Sequence, residues 1–135
     1  MIRIKGLDHV VIRVKNIDKM IQFYCDVLGC TVERELSPEF GLVQLRAGNA
    51  LIDLVSVDGE LGRLGGSAPG KEGRNMDHFC VRLENFDEGE IRSHLSRFNV
   101  RGSKLENRYG AEGNGPSIYI KDPESNTVEL KGPPD

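Results

Sequence analysis

Leu7-Asp8-His9-Val10-Val11-Ile12-Arg13-Val14 and Met76-Asp77-His78-Phe79-Cys80-Val81-Arg82-Leu83 are two copies of one segment. Asp-His and the later Arg coincide position for position, and most other sites are apolar in both. His9 and His78 stand 69 residues apart, about half of the 135-residue chain. Each copy is followed by a short linker carrying Asp, at Lys15-Asn16-Ile17-Asp18 and Glu84-Asn85-Phe86-Asp87, and then by a helical pattern. Two copies at half-length spacing imply a duplicated module with pseudo-twofold symmetry.

Within each module the elements are legible. Val10, Ile12 and Val14 alternate with His9, Val11 and Arg13, the period of two that marks a strand. Met20, Phe23, Tyr24, Val27 and Leu28 recur at helical spacing, with Asp18 placed to cap the helix and Gly29 to end it. Strands are predicted at about 31–36, 41–46 and 50–57. The second copy predicts a strand at 76–83 and a helix at about 87–98, with Ile91, Leu95 and Phe98 on one face and Asp87 with Glu90 as a capping box. Strands near 100–106, 116–121 and 126–131 complete it. The fold class is therefore α+β, two tandem βαβββ modules forming a curved mixed sheet around a cavity. The chain reads as one domain: module one at 1–57, a Gly-rich linker at 58–75 and module two at 76–135. Residues 108–116 read as a second flexible loop, close enough to the candidate site to serve as a lid.

Composition narrows the function classes. Eighteen Lys and Arg against 21 Asp and Glu leave a formal charge of −3, which argues against a nucleic-acid binder with a basic face. No Trp, three Tyr and five Phe also argue against single-strand stacking. No apolar run approaches the ~18 residues of a membrane helix. The strand-like N-terminus has no signal-peptide pattern, and Cys25, Cys30 and Cys80 form no C-x-x-C pair. A cytoplasmic protein with reduced thiols is expected.

Alternation assigns the chemistry to one face. Phe79, Val81 and Leu83 should pack on helices, leaving His78, Cys80 and Arg82 on the concave side, and His9, Val11 and Arg13 repeat the arrangement. The last strands of the modules align 50–55 with 126–131, so Asp53 matches Glu129. Each acid has apolar neighbours that must face the helices, so each points with the histidines. Two imidazoles and two carboxylates, His9, Asp53, His78 and Glu129, make a divalent-metal site suited to Ni, Co, Mn, Fe or Zn. Asp53 is equally suited to pair with Arg13 or Arg82. Those two arginines, recurring on the cavity face, are candidates to clamp a substrate carboxylate or phosphate. Cys80 reads as a packing residue rather than a nucleophile.

These segments, with Phe23-Tyr24-x-x-Val27-Leu28-Gly29 and 119–130 (Tyr-Ile-Lys-Asp-Pro-Glu-Ser-Asn-Thr-Val-Glu-Leu), resemble the vicinal oxygen chelate superfamily. That superfamily includes glyoxalase I, methylmalonyl-CoA epimerase, fosfomycin thiol transferases, extradiol dioxygenases and bleomycin-resistance proteins. The resemblance covers nearly the whole chain and is nearest to small glyoxalase-domain-containing proteins. It implies that His9, His78 and Glu129 are core metal ligands and that Asp53 stands where glyoxalase I uses a Glu. Tyr119 is similar to a tyrosine of dioxygenases and fosfomycin transferases and should sit near the cavity. Ser125 departs from the Gly usual in the turn after Asp122-Pro123.

Three function classes follow from the resemblance. A metal-dependent lyase or isomerase would act on a small substrate with vicinal oxygens through a metal-stabilised enediolate, with Glu129 as base and Asp53 second. An extradiol dioxygenase or fosfomycin-type thiol transferase would use His9, His78 and Glu129 with Tyr119 assisting. The first of these lacks a further catalytic His, because His94 falls in a helix and should face solvent. The second lacks a basic cluster, because the 108–116 loop offers only Arg108 to a substrate anion. A metal-free, bleomycin-type binding protein would not keep the His/His/Glu set. The resemblance further implies a homodimer, a small-molecule substrate, one divalent ion per site and room for a thiol co-substrate.

Overall fold

The alternation of the first copy becomes strand β1 (His9–Val14), in which Ile12 and Val14 are fully buried while His9 and Val11 are exposed. The structure, a computed structural model, describes residues 1–135. Helix α1 (Ile17–Asp26) turns Met20, Phe23 and Tyr24 inward. Strands β2 (Thr31–Glu35), β3 (Leu42–Ala47) and β4 (Ala50–Ser56) follow. The sheet order is β1-β4-β3-β2, with β1 parallel to β4 and the other pairs antiparallel. Met20, Tyr24, Leu45 and Leu54 are wholly inaccessible, each side chain contributing about 1.5–3 kcal/mol by burial. A short helix, α2 (Glu60–Arg63), comes next.

The second copy repeats the plan with β5 (Phe79–Arg82), α3 (Glu88–Arg97), β6 (Glu106–Gly110), β7 (Gly113–Lys121) and β8 (Thr127–Lys131), in the order β5-β8-β7-β6. Its core is Leu95, Ile118, Ile120, Val128 and Leu130. Both copies are βαβββ modules in an α+β fold. The chain divides into two compact units, Met1–Asn75 and Met76–Asp135. No helix is long and apolar enough to cross a membrane.

Three local expectations are corrected. The cap of α1 is Asn16, whose side chain accepts from the Lys19 N–H, and Asp18 lies inside the first turn. Gly29 does end the helix, at φ 73°, where a side chain would be strained. The strand expected near 100–106 starts only at Glu106. Residues 108–116 are not a loop but most of the β6–β7 hairpin, turning at Ala111 and Glu112. Two of its glycines serve packing: a Cβ on Gly110 would stand 2.7 Å from Lys131 Cε, and one on Gly115 would stand 2.7 Å from the Pro133 carbonyl.

Residues 58–75, read as a linker, are fastened to module one. The Arg13 guanidinium donates to the carbonyls of Gly62 (3.1 Å), Ser67 (2.9 Å) and Gly66 (2.6 Å). The Asn75 amide meets both the N–H and the C=O of Arg13, as a neighbouring strand would, and so covers part of the β1 edge. The Asp87 cap of α3 is as expected, its carboxylate accepting from the Glu90 N–H at 2.9 Å. Of the predicted inner face of α3, Leu95 is buried, Ile91 half-buried and Phe98 exposed.

Candidate functional site

In module one, β1 and β4 run parallel with Val11 beside Asp53. His9, two residues before Val11, therefore projects on the same face as Asp53. Its Nε2 lies 4.0 Å from Asp53 Oδ2, and its Nδ1 is 2.7 Å from Asp8 Oδ1. Asp8 thus fixes the ring with Nδ1 as donor and leaves Nε2 facing the acid. That hydrogen bond, and next the charge of Asp53, hold the His9 pKa above the ordinary imidazole value. Asp53 is almost completely buried. Its Oδ2 accepts from Gln44 Nε2 at 3.1 Å, and its Oδ1 has no partner.

Module two repeats the geometry. Cys80 lies beside Glu129 across the parallel β5–β8 pair, so His78 again precedes the neighbour of the acid by two residues. His78 Nε2 is 3.3 Å from Glu129 Oε2, and Nδ1 is 2.5 Å from Asp77 Oδ2. The other Glu129 oxygen accepts from the fully buried Ser117 hydroxyl at 2.5 Å. Tyr119, paired with Glu129 across β7–β8, sets its ring edge-on to His78 at 5.3 Å. The Arg108 guanidinium lies over that Tyr119 ring, its Cζ 4.4 Å from the centroid.

The predicted site residues thus fall into two His–carboxylate pairs, one per module. Beyond those pairs, no group of three or more His, Cys, Asp or Glu is assembled to hold a metal ion. Arg13 is bound to the carbonyls of the 62–67 segment and does not pair with Asp53. Arg82 pairs with Glu112 at 2.7 Å and donates to the Leu83 carbonyl. His94 packs its ring against Phe98 at 5.2 Å and is half-buried rather than solvent-facing. Cys80 is exposed as a residue, yet desolvation of its sulfur and the nearby Glu129 carboxylate push the thiol up to about 12. A thiol held that high stays protonated at neutral pH and is a poor nucleophile.

Four supporting residues went unassigned in the sequence: Asp8, Asp77, Gln44 and Ser117. The aspartates were visible as the first letter of the repeated Asp-His. Gln44 and Ser117 act across β3–β4 and β7–β8, and only the strand register brings them to the acids.

The donor chemistry fits a divalent cation. With Nδ1–H committed to an aspartate, each Nε2 lone pair faces a carboxylate oxygen, and two electron-pair donors brought together need a proton or a cation between them. The orphaned Asp53 Oδ1 is a second such vacancy in the hydrogen bonding of the site. Neutral nitrogen with anionic oxygen suits Ni, Co, Mn, Fe and Zn.

Residues 6–130 match the family model of the Glyoxalase/Bleomycin resistance protein/Dioxygenase superfamily. The chain is 28% identical over 130 residues to mitochondrial methylmalonyl-CoA epimerase of Homo sapiens, covering 93% of this chain and 72% of that protein. It is 28% identical over 131 residues to a probable lactoylglutathione lyase of Synechocystis sp., covering 90% of this chain and 91% of that protein. An integron cassette protein from the mobile metagenome of V. cholerae has the same fold, with a TM-score of 0.77 at 24% identity over 98% of each chain. The chain belongs to the glyoxalase, bleomycin resistance protein and dioxygenase superfamily.

Proposed function

We propose that the protein is a divalent-metal-dependent lyase or isomerase of the glyoxalase type, acting on a small substrate with vicinal oxygens. One observation carries this reading. The His–carboxylate pair occurs twice in register, each imidazole oriented by its own aspartate with Nε2 toward the acid. The epimerase and lyase among the relatives support it.

His9, Asp53, His78 and Glu129 would hold the ion. When bound, it supplies Lewis acidity that polarises a substrate carbonyl and makes the adjacent C–H more acidic. Glu129 takes that proton and returns it. Ser117 holds Oε1, which leaves Oε2, on the His78 side, as the basic oxygen. Asp77 keeps His78 from turning, and the Tyr119 ring fixes its edge. Arg108 binds the substrate.

Proton exchange tests this reading. The protein with one added divalent ion is incubated in deuterated water with a 2-oxoaldehyde hemithioacetal or a 2-branched acyl thioester, and deuterium entering the carbon beside the carbonyl is followed by NMR. Wild type should exchange one of these classes, and Glu129→Gln should lose at least about a hundredfold in rate. Absence of exchange with both classes would overturn the lyase or isomerase reading. Oxygen uptake with catechols would then favour the dioxygenase.

A further inference from the structure

We propose that the module-two sheet face carries an anion subsite built on Arg108 and Lys131, so that the substrate bears an anionic group besides its vicinal oxygens. This deepens the function proposed above and rests on it for the word substrate.

The strand register puts the groups on one face. Ser117 lies between Lys131 and Glu106, Lys131 is beside Arg82, and Tyr119 is beside Glu129. Side chains two apart on a strand share a face, so Arg82, Arg108 and Lys131 stand on the side of Glu129 and Ser117. Of these three cations only Arg82 has a carboxylate partner, Glu112. Lys131 is 7% exposed, and its Nζ donates only to main-chain carbonyls, those of Arg108 and Gly115. Arg108 meets no acceptor, and its Nε is buried without a partner. A cation withdrawn from water without a counter-charge is costly, and an anion delivered by a ligand removes that cost.

The fold makes room for this arrangement. A Cβ on Gly110 would stand 2.7 Å from Lys131 Cε, and one on Gly115 would stand 3.3 Å from Lys131 Nζ. Stacking on Tyr119 holds the guanidinium plane, and a planar fork binds a carboxylate or a phosphoryl group through two parallel hydrogen bonds. Module one has nothing comparable: Val55 and Gln44 occupy the positions of Lys131 and Tyr119, and the guanidinium of Arg13 is taken by carbonyls.

The test uses the full chain stripped of metal, so that anion binding is read apart from any ion. Malonate, phosphonoacetate and neutral malonamide are titrated in turn, with amide chemical shifts and titration calorimetry as readouts. Both dianions should bind, with shifts concentrated in residues 106–119, and malonamide should not. Tighter malonate binding assigns a carboxylate, and tighter phosphonoacetate binding assigns a phosphoryl group. Arg108→Met should weaken the dianion about tenfold or more while keeping the wild-type melting profile and divalent-ion stoichiometry. If that variant melts without cooperativity, Arg108→Lys carries the test, keeping the charge without the fork and losing less. Wild type that ignores both dianions, or an Arg108→Met variant that binds them equally well, overturns the subsite. Wild type that binds dianions yet takes up no divalent ion leaves the subsite standing and removes the metal reading instead.

Discussion

Asp53→Asn separates a residue kept for chemistry from one kept for the fold. Asp53 is 4% exposed, and its Oδ1 has no hydrogen-bond partner. Its other oxygen has Gln44 at 3.1 Å, and the nearest basic group is the His9 imidazole at 4.0 Å. A buried acceptor left unsatisfied costs about 1–3 kcal/mol. Asparagine keeps the shape and an oxygen for Gln44 and puts a neutral amide nitrogen where the orphaned oxygen stood, and an unpartnered neutral group costs less to bury than an unpartnered charged one. The metal-free variant at pH 9 should therefore gain about 1–2 kcal/mol. With an unfolding entropy of about 2.1 cal/mol/K per residue, that corresponds to a Tm increase of roughly 4–7 °C. The His9 pKa is raised, first by Asp8 and then by Asp53. As pH falls through that raised value, the imidazolium forms and offsets the Asp53 charge, so the gain should shrink. Urea unfolding of chelator-treated protein measures it, with an unchanged m-value as the control. A loss of more than about 1 kcal/mol at pH 9 would instead make the carboxylate a structural group.

Other consequences are more local. Ser125 holds φ at 66°, where a side chain is strained, so Ser125→Gly should stabilise by about 0.5–1 kcal/mol in the same urea assay. Arg13→Met removes three donors from the 62–67 segment, and trypsin should then cut after Arg63 or Lys71 several-fold faster than in wild type. Burial pushes the Cys30 thiol up to about 11, while Cys25 is raised less and is partly exposed. Iodoacetamide at pH 8 should therefore label Cys25 well before Cys30 in folded protein, and the order should vanish in urea.

Much of the fold was open to reading because duplication tests itself. A single His in an apolar alternation carries little weight, but His9 and His78 repeat with the same neighbours, and Asp53 and Glu129 repeat in the matching last strands. The errors arose where composition outweighed pairing. Gly110, Gly113, Gly115 and Pro116 look like loop residues, although Gly110 admits the Lys131 side chain and Gly115 the Pro133 carbonyl. Residues 58–75 looked like a free linker because nothing local reveals that Arg13, 49 positions before Gly62, binds their carbonyls. Asn16 and Asp18 are both good caps, and the choice between them depends on where Ile17 enters the helix. Gln44 and Ser117 became visible only with cross-strand register, which one sequence does not supply.

The proposed function makes His9, Asp53, His78 and Glu129 divalent-ion ligands, and metal content tests it most directly. Equilibrium dialysis against Mn, Co, Ni and Zn, with elemental analysis of the protein, measures the number of ions per chain in wild type, His9→Ala and His78→Ala. Under the proposed function wild type should hold one ion per chain, and each variant, having lost a ligand imidazole, should hold none. No ion bound in wild type, or one variant retaining the full wild-type content, would contradict it.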